Sequence, residues 1–154
     1  GPEQTPLMRA DETVDACRQV MTSDRETGFV VNIPNLDQVG HSGDVGLCRQ
    51  AAAAVDRALA ALVAQARETG WTLAVTADHG NAERLLDDQG RGFGSHTANP
   101  VPFTIVAADG GRADWAFGAG RLDNVAPTMA ALLGVDPAGI GDAPALICRQ
   151  RSLA

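Results

Sequence analysis

The stretch Trp71-Thr72-Leu73-Ala74-Val75-Thr76-Ala77-Asp78-His79-Gly80-Asn81-Ala82-Glu83 passes within a few residues from an apolar run to a loop of Asp, His, Gly and Asn. A short apolar run bounded by turn residues is the pattern of a buried strand. Asp78 and His79 at its tip need partners if they are desolvated, and Gly80 permits a tight turn that aims both at one point. The same pair also suits an Asp that caps a following helix beside a satisfied histidine.

Immediately upstream, Val45–Thr69 is rich in Ala and Leu, with Val55, Leu59, Leu62, Val63 and Ala66 spaced for one helical face and Gly70 placed as a C-terminal stop. Further back, the run Phe29-Val30-Val31-Asn32-Ile33 predicts another strand, ended by Pro34. Asp11 can cap a first helix whose apolar positions Val14, Cys17, Val20 and Met21 share a face. Downstream, residues 103–107 predict a third strand, and Asp123 opens a last helix that runs through Leu133 to Gly134. A strand, a long helix and a strand make a crossover unit, so the fold class expected is α/β, with a mainly parallel sheet and helices on both faces. Ligands of such sheets lie beyond the carboxyl ends of the strands.

The 154 residues, 45% apolar and 20% charged, suit one globular domain and argue against disorder. Gly1-Pro2 reads as the scar of a tag-removing protease, residues 3–8 as a polar arm, 11–147 as the domain and 148–154 as a tail. A formal charge of -7 leaves no diffuse basic surface for nucleic acid. Charge interrupts every apolar run well before the roughly 18 residues of a membrane span, so a cytoplasmic protein is expected. Cys17, Cys48 and Cys148 are odd in number and far apart, which predicts reduced packing residues. Trp71, Trp115 and the four Phe are read as core or interface, and Gly110-Gly111 as a turn.

All three histidines fall in loops of Asp, Asn and Gly. The first loop, Asn35-Leu36-Asp37-Gln38-Val39-Gly40-His41-Ser42-Gly43-Asp44, sets a carboxylate and an imidazole four residues apart, a spacing that lets both reach one ion from a helical turn. An isolated Asp and His at that spacing also suits a cap and a surface imidazole. The third, Gly94-Ser95-His96-Thr97-Ala98-Asn99-Pro100-Val101-Pro102, is stiffened by its two prolines. Carboxylates and imidazoles without thiolate suit Mn²⁺ or Zn²⁺ better than Ca²⁺, and either ion is a Lewis acid for a phosphate or sulfate oxygen.

These three loops, together with Asn124-Val125-Ala126-Pro127-Thr128, resemble in order and spacing the cofactor-independent phosphoglycerate mutases of the alkaline phosphatase superfamily. The resemblance runs from about Asp11 to Ile147 and implies the C-terminal half of an alkaline-phosphatase-like domain. It implies a two-metal phosphoryl-transfer site, usually manganese, with Asp37, His41 and His96 on one ion and Asp78 and His79 on the other. The family's first metal-binding Asp, its phosphorylated serine, a catalytic lysine and its inserted substrate domain have no counterpart among these residues. One ion is therefore favoured, with Asp78 or His79 completing its shell or supporting it, and two are expected only with a partner segment.

Three functions follow. A metal-dependent half enzyme would need the missing segment in trans for phosphoryl transfer. A stand-alone metalloenzyme would use the ion for elimination or intramolecular displacement of a phosphate or sulfate group, with His79 or Asp44 as base. A non-catalytic module would bind metal or a partner without turnover. The short arm and the tail read more like natural termini, which favours the stand-alone protein, while the resemblance itself favours phosphoryl chemistry, so the first two readings rank equally. Arg84 and Arg91 are the candidate anion-binding residues, and a partner chain or homo-oligomer is expected to complete the sheet.

Overall fold

In the computed structural model of the chain, residues 9–23, 28–108, 115–117 and 119–149 are described. They fall into two compact units, one ending at Gly110 and the other beginning at Gly111. The expected polar arm through residue 8, the expected turn at Gly110-Gly111 and the tail beyond Arg149 lie outside the described residues.

The first unit is organised by one long helix. Helix α1 is Ala10–Met21, α2 is Asn35–Gly40 and α3 is Val45–Thr69, followed by strands β1, Leu73–Thr76, and β2, Phe103–Val106. Asp44 caps α3 by accepting the Leu47 N–H at 2.9 Å, and Gly70, at φ 76°, ends it in the left-handed conformation that glycine adopts without strain. Helix α1 begins one residue before Asp11, after Arg9, so Asp11 lies in its first turn and favours the helix through the macrodipole.

The buried face of α3 is Cys48, Ala51, Ala54, Ala58, Leu62 and Ala66. Of the five residues expected on that face only Leu62 and Ala66 are fully buried, while Val55, Leu59 and Val63 are half-buried on its flank. Alanine at the seam lets other helices approach closely, which displaces the larger side chains to the side. Toward its C-terminus α3 packs Ala58, Leu62 and Ala66 on Val14, Cys17 and Met21 of α1, with Phe29, Trp71 and Leu73 around them. Trp71 also donates its indole N–H to the Met21 carbonyl at 3.0 Å. Toward its N-terminus, Cys48 and Ala51 pack on Val39 of α2, with Leu85 alongside. Cys17 and Cys48 are free, buried thiols, and burial pushes both thiol pKa values up.

Strands β1 and β2 pair antiparallel, Leu73 opposite Val106 and Thr76 opposite Phe103. In the second unit β3, Trp115–Phe117, pairs antiparallel with β4, Ile147–Arg149. The mainly parallel sheet expected from the alternation of elements is therefore not what these ladders form, and the fold here is mixed α/β. The connection from β1 to β2 carries loops and turns but no helix, so it returns the chain at the same end of the ladder instead of crossing over. The expected strand at residues 29–33 takes part in no ladder among the described residues, and Val30 is 98% exposed.

A 3₁₀ turn at Leu122–Asn124 leads into α4, Val125–Leu132, so the last helix starts later than Asp123 and ends one residue before Leu133. Its polar interior is fully engaged. Asn124 accepts the Arg121 N–H at 2.6 Å and donates to the Pro144 carbonyl at 2.8 Å, while buried Thr128 donates to the Asn124 carbonyl and accepts the Leu146 N–H. The Asn124 to Thr128 motif thus ties this unit together.

Candidate metal centre

Antiparallel pairing is what brings the histidine loops together. Because Thr76 lies opposite Phe103, the loop that leaves β1 and the loop that enters β2 emerge side by side. The contact continues past the strands: the Thr97 N–H donates to the Gly80 carbonyl at 2.8 Å. The loop of residues 35–44 reaches them from α2, which is held on α3 through Val39. A methyl group on Gly94 would lie 2.6 Å from the His41 carbonyl oxygen, so only glycine allows these two backbones to approach as they do.

The result is convergence on one atom. Asp37 Oδ1 lies 3.1 Å from His96 Nε2, 3.4 Å from His41 Nε2 and 4.0 Å from His79 Nε2. His41 and His96 Nε2 are 3.2 Å apart, and the His79 and His96 rings stack with centroids 3.5 Å apart. One oxygen of Asp37 and one nitrogen each of His79 and His96 lie within 4.8 Å of one another, the geometry of a three-residue metal site. Asp78 is largely exposed, with its carboxylate 3.5 Å from His79 Nε2.

The family model described as the metalloenzyme superfamily matches residues 3–137. The chain belongs to the metalloenzyme superfamily. Membership implies a divalent metal ion. The chain is 39% identical over 140 residues to the 2,3-bisphosphoglycerate-independent phosphoglycerate mutase of Picosynechococcus sp., covering 87% of this chain and 27% of that protein. It is 39% identical over 148 residues to the mutase of the same description from Chloroflexus aggregans, covering 94% of this chain and 27% of that one. It thus spans about a quarter of the length of these relatives. A crystal structure of Leishmania mexicana phosphoglycerate mutase at low cobalt concentration superposes with a TM-score of 0.81 at 30% identity, over 96% of this chain and 29% of that one.

The side chains fit the ion that the metalloenzyme superfamily implies. His41 Nδ1 lies 2.8 Å from the Gly94 carbonyl, an acceptor only, so this nitrogen carries the proton. In the neutral ring, Nε2 then turns its lone pair toward the space shared with Asp37 and His96, where it is free to ligate an ion. A backbone carbonyl on the far nitrogen is the usual way a ligating histidine is oriented. His79 Nδ1 is buried with no hydrogen-bond partner among the described residues.

The other sequence candidates lie differently. Asp44 spends its Oδ1 on the cap of α3. Arg84 stacks over Phe93 at 4.6 Å and pairs with Asp88 at 3.5 Å, and Arg91 pairs with Asp87 at 2.8 Å. Among the described residues, no hydrogen bond, ion pair or ring contact joins these three to the histidines. Conversely, Asn81, quoted only as part of a loop, donates its side-chain N–H to Asp37 Oδ1 at 3.1 Å. Glu83 accepts from the Asn81 N–H at 2.7 Å, from Asn99 Nδ2 at 2.9 Å and from the Thr97 hydroxyl. These donors, the Thr97 hydroxyl foremost, push its carboxyl pKa down to about 2. The only sequence signal for this pair was its place in the Asp-His-Gly loop.

Proposed function

We propose that this chain supplies the metal-holding part of a phosphoryl-transfer domain of the phosphoglycerate-mutase kind, acting on a phosphate-bearing small molecule. The observation that carries this reading is the convergence of His41, His79 and His96 on Asp37 Oδ1. Mn²⁺ or Zn²⁺ is the ion proposed, since oxygen and imidazole donors without thiolate suit both. Asp37, His41 and His96 would hold it, with His79 and Asp78 completing its shell or holding a second ion once a partner segment is present. Bound there, the ion would act as a Lewis acid on a phosphoryl oxygen. Asp37 brings the negative charge that binds the ion, while the Gly94 carbonyl and Asn81 fix the orientation of His41 and Asp37.

The serine nucleophile and substrate domain of the mutases match no residues here, so transfer would require them from a further segment or partner chain. The extended apolar sequence at 29–33, with Val30 exposed, is proposed as the strand through which a wider, mainly parallel sheet is completed by that segment or a second copy. No helix among the described residues is long and apolar enough to cross a membrane, and a cytoplasmic location is proposed by analogy with the mutases.

The test is ³¹P NMR with a phosphate monoester and the Mn²⁺-loaded chain. Paramagnetic broadening of the phosphorus line by the wild type, lost in His96→Ala, is expected. A chain that binds Mn²⁺ without broadening the line would contradict the phosphate-ester reading.

A further inference from the structure

Among the described residues outside the metal-ligand set, one side chain joins two of the three loops that surround the cluster. Glu83 is exposed, yet its two carboxylate oxygens are divided between two loops. Oε2 accepts the Asn81 N–H, inside its own loop, while Oε1 accepts the Thr97 hydroxyl and Asn99 Nδ2 from the loop before β2. Thr97 directly follows His96. Asn81 lies two residues after His79 and, 6% exposed as a residue, donates its side-chain N–H to Asp37. One carboxylate thus braces the His79 loop against the His96 loop and, through Asn81, sets the oxygen on which the histidines converge.

Space reinforces this brace. A methyl group on Gly80 would strike both the Thr97 hydroxyl and Glu83 Oε1, so the loops close only around this arrangement. A methyl on Gly40 would strike Asn81 Oδ1, which is itself buried without a hydrogen-bond partner among the described residues. Asn81 is therefore wedged between α2 and its own loop, and a shift of its backbone passes to Asp37. Because Glu83 lies at the surface and outside both apolar clusters, the helices do not depend on it.

We propose that Glu83 is a positioning residue for the metal centre: by bonding Asn81, Thr97 and Asn99 it fixes the separation of His79 and His96 and the orientation of Asp37. The proposal rests on the reading of this cluster as a metal site. Groups that bond a ligand directly typically change metal affinity about 10- to 100-fold when lost, and Glu83, one bond further out, is expected near the lower end.

The experiment titrates the 154-residue chain with Co²⁺ and Mn²⁺ by calorimetry, records the Co²⁺ visible spectrum, and follows urea unfolding by circular dichroism. Glu83→Gln and Thr97→Val are each expected to weaken binding by about 10-fold and to alter the Co²⁺ spectrum, with any fall in the unfolding midpoint too small to account for the lost affinity. Thr97→Ser keeps the hydroxyl and should bind as the wild type does. The double variant Glu83→Gln/Thr97→Val should bind no more weakly than the worse single variant, since both remove the same bond. Wild-type affinity and spectrum in Glu83→Gln would overturn the proposal, as would losses of affinity that merely track losses of folded chain in both single variants. A wild type that binds neither ion would overturn the metal-centre reading itself, and this proposal with it.

Discussion

Along the seam of α1 and α3, Val14, Cys17, Met21, Ala58, Leu62 and Ala66 form one buried apolar cluster. Around Asp37, by contrast, three loops meet through imidazoles, amides and a carboxylate, most of them half-exposed or exposed. Burial is nondirectional and tolerates small displacements, whereas the loop cluster depends on the direction of each donor and on glycines that let backbones touch. The two regions should therefore fail independently: the seam through lost volume, the cluster through lost geometry.

The largest separation of the two is expected from Leu62→Ala. Leu62 is 2% exposed, and its truncation should cost about 2 to 5 kcal/mol of stability by urea unfolding. Binding measured on the fraction that stays folded should keep wild-type metal affinity. Weaker binding by that folded fraction would show that the seam and the cluster are coupled. Gly94→Ala attacks the other region. Its methyl group meets the His41 carbonyl, a backbone atom that cannot swing away, so about 1 to 3 kcal/mol of strain is expected. Part of that strain should be relieved by moving the His96 loop, so metal affinity should fall even where the chain remains folded. Equal metal binding by wild type and variant would show that the approach of these loops is not what builds the site.

Much of this contrast was visible in the sequence, and unequally so. Helix α3 was legible from residue 45 to its glycine stop because period, composition and cap agree. The Asp and His residues of the cluster stood out because they sit in Gly- and Asn-rich loops next to strands. Sheet direction did not, since an apolar run reads alike in parallel and antiparallel ladders; it took the helix-free path from β1 to β2 to decide it. Nor were the supporting contacts legible. Asn81 meets Asp37 across 44 residues and His41 meets the Gly94 carbonyl across 53, separations that no local pattern encodes. Asp44, a candidate base in the sequence, also caps α3 through its Oδ1, a role that the sequence reading did not assign to it.

A smaller effect should come from acid. Glu83 titrates near 2 in the folded chain, against an ordinary glutamate value of 4.5. Its contribution to loop order is therefore fully present above about pH 4.5 and lost as the pH falls toward 2. The amide resonances of Asn81 and Asn99 should move together through that window, and Glu83→Gln should abolish the movement. Titration of these amides near pH 4.5 instead would show that the brace does not hold the carboxylate charged.

The central claim is that the loops around Asp37 form a divalent metal site, and metal content tests it most directly. The wild-type chain, His41→Ala and His96→Ala would each be supplied with Mn²⁺ or Zn²⁺, dialysed, and assayed by elemental analysis. About one equivalent per chain in the wild type is predicted from a single set of protein ligands, with loss in both variants. A folded wild-type chain that retains no metal, or variants that retain as much as the wild type, would contradict the account.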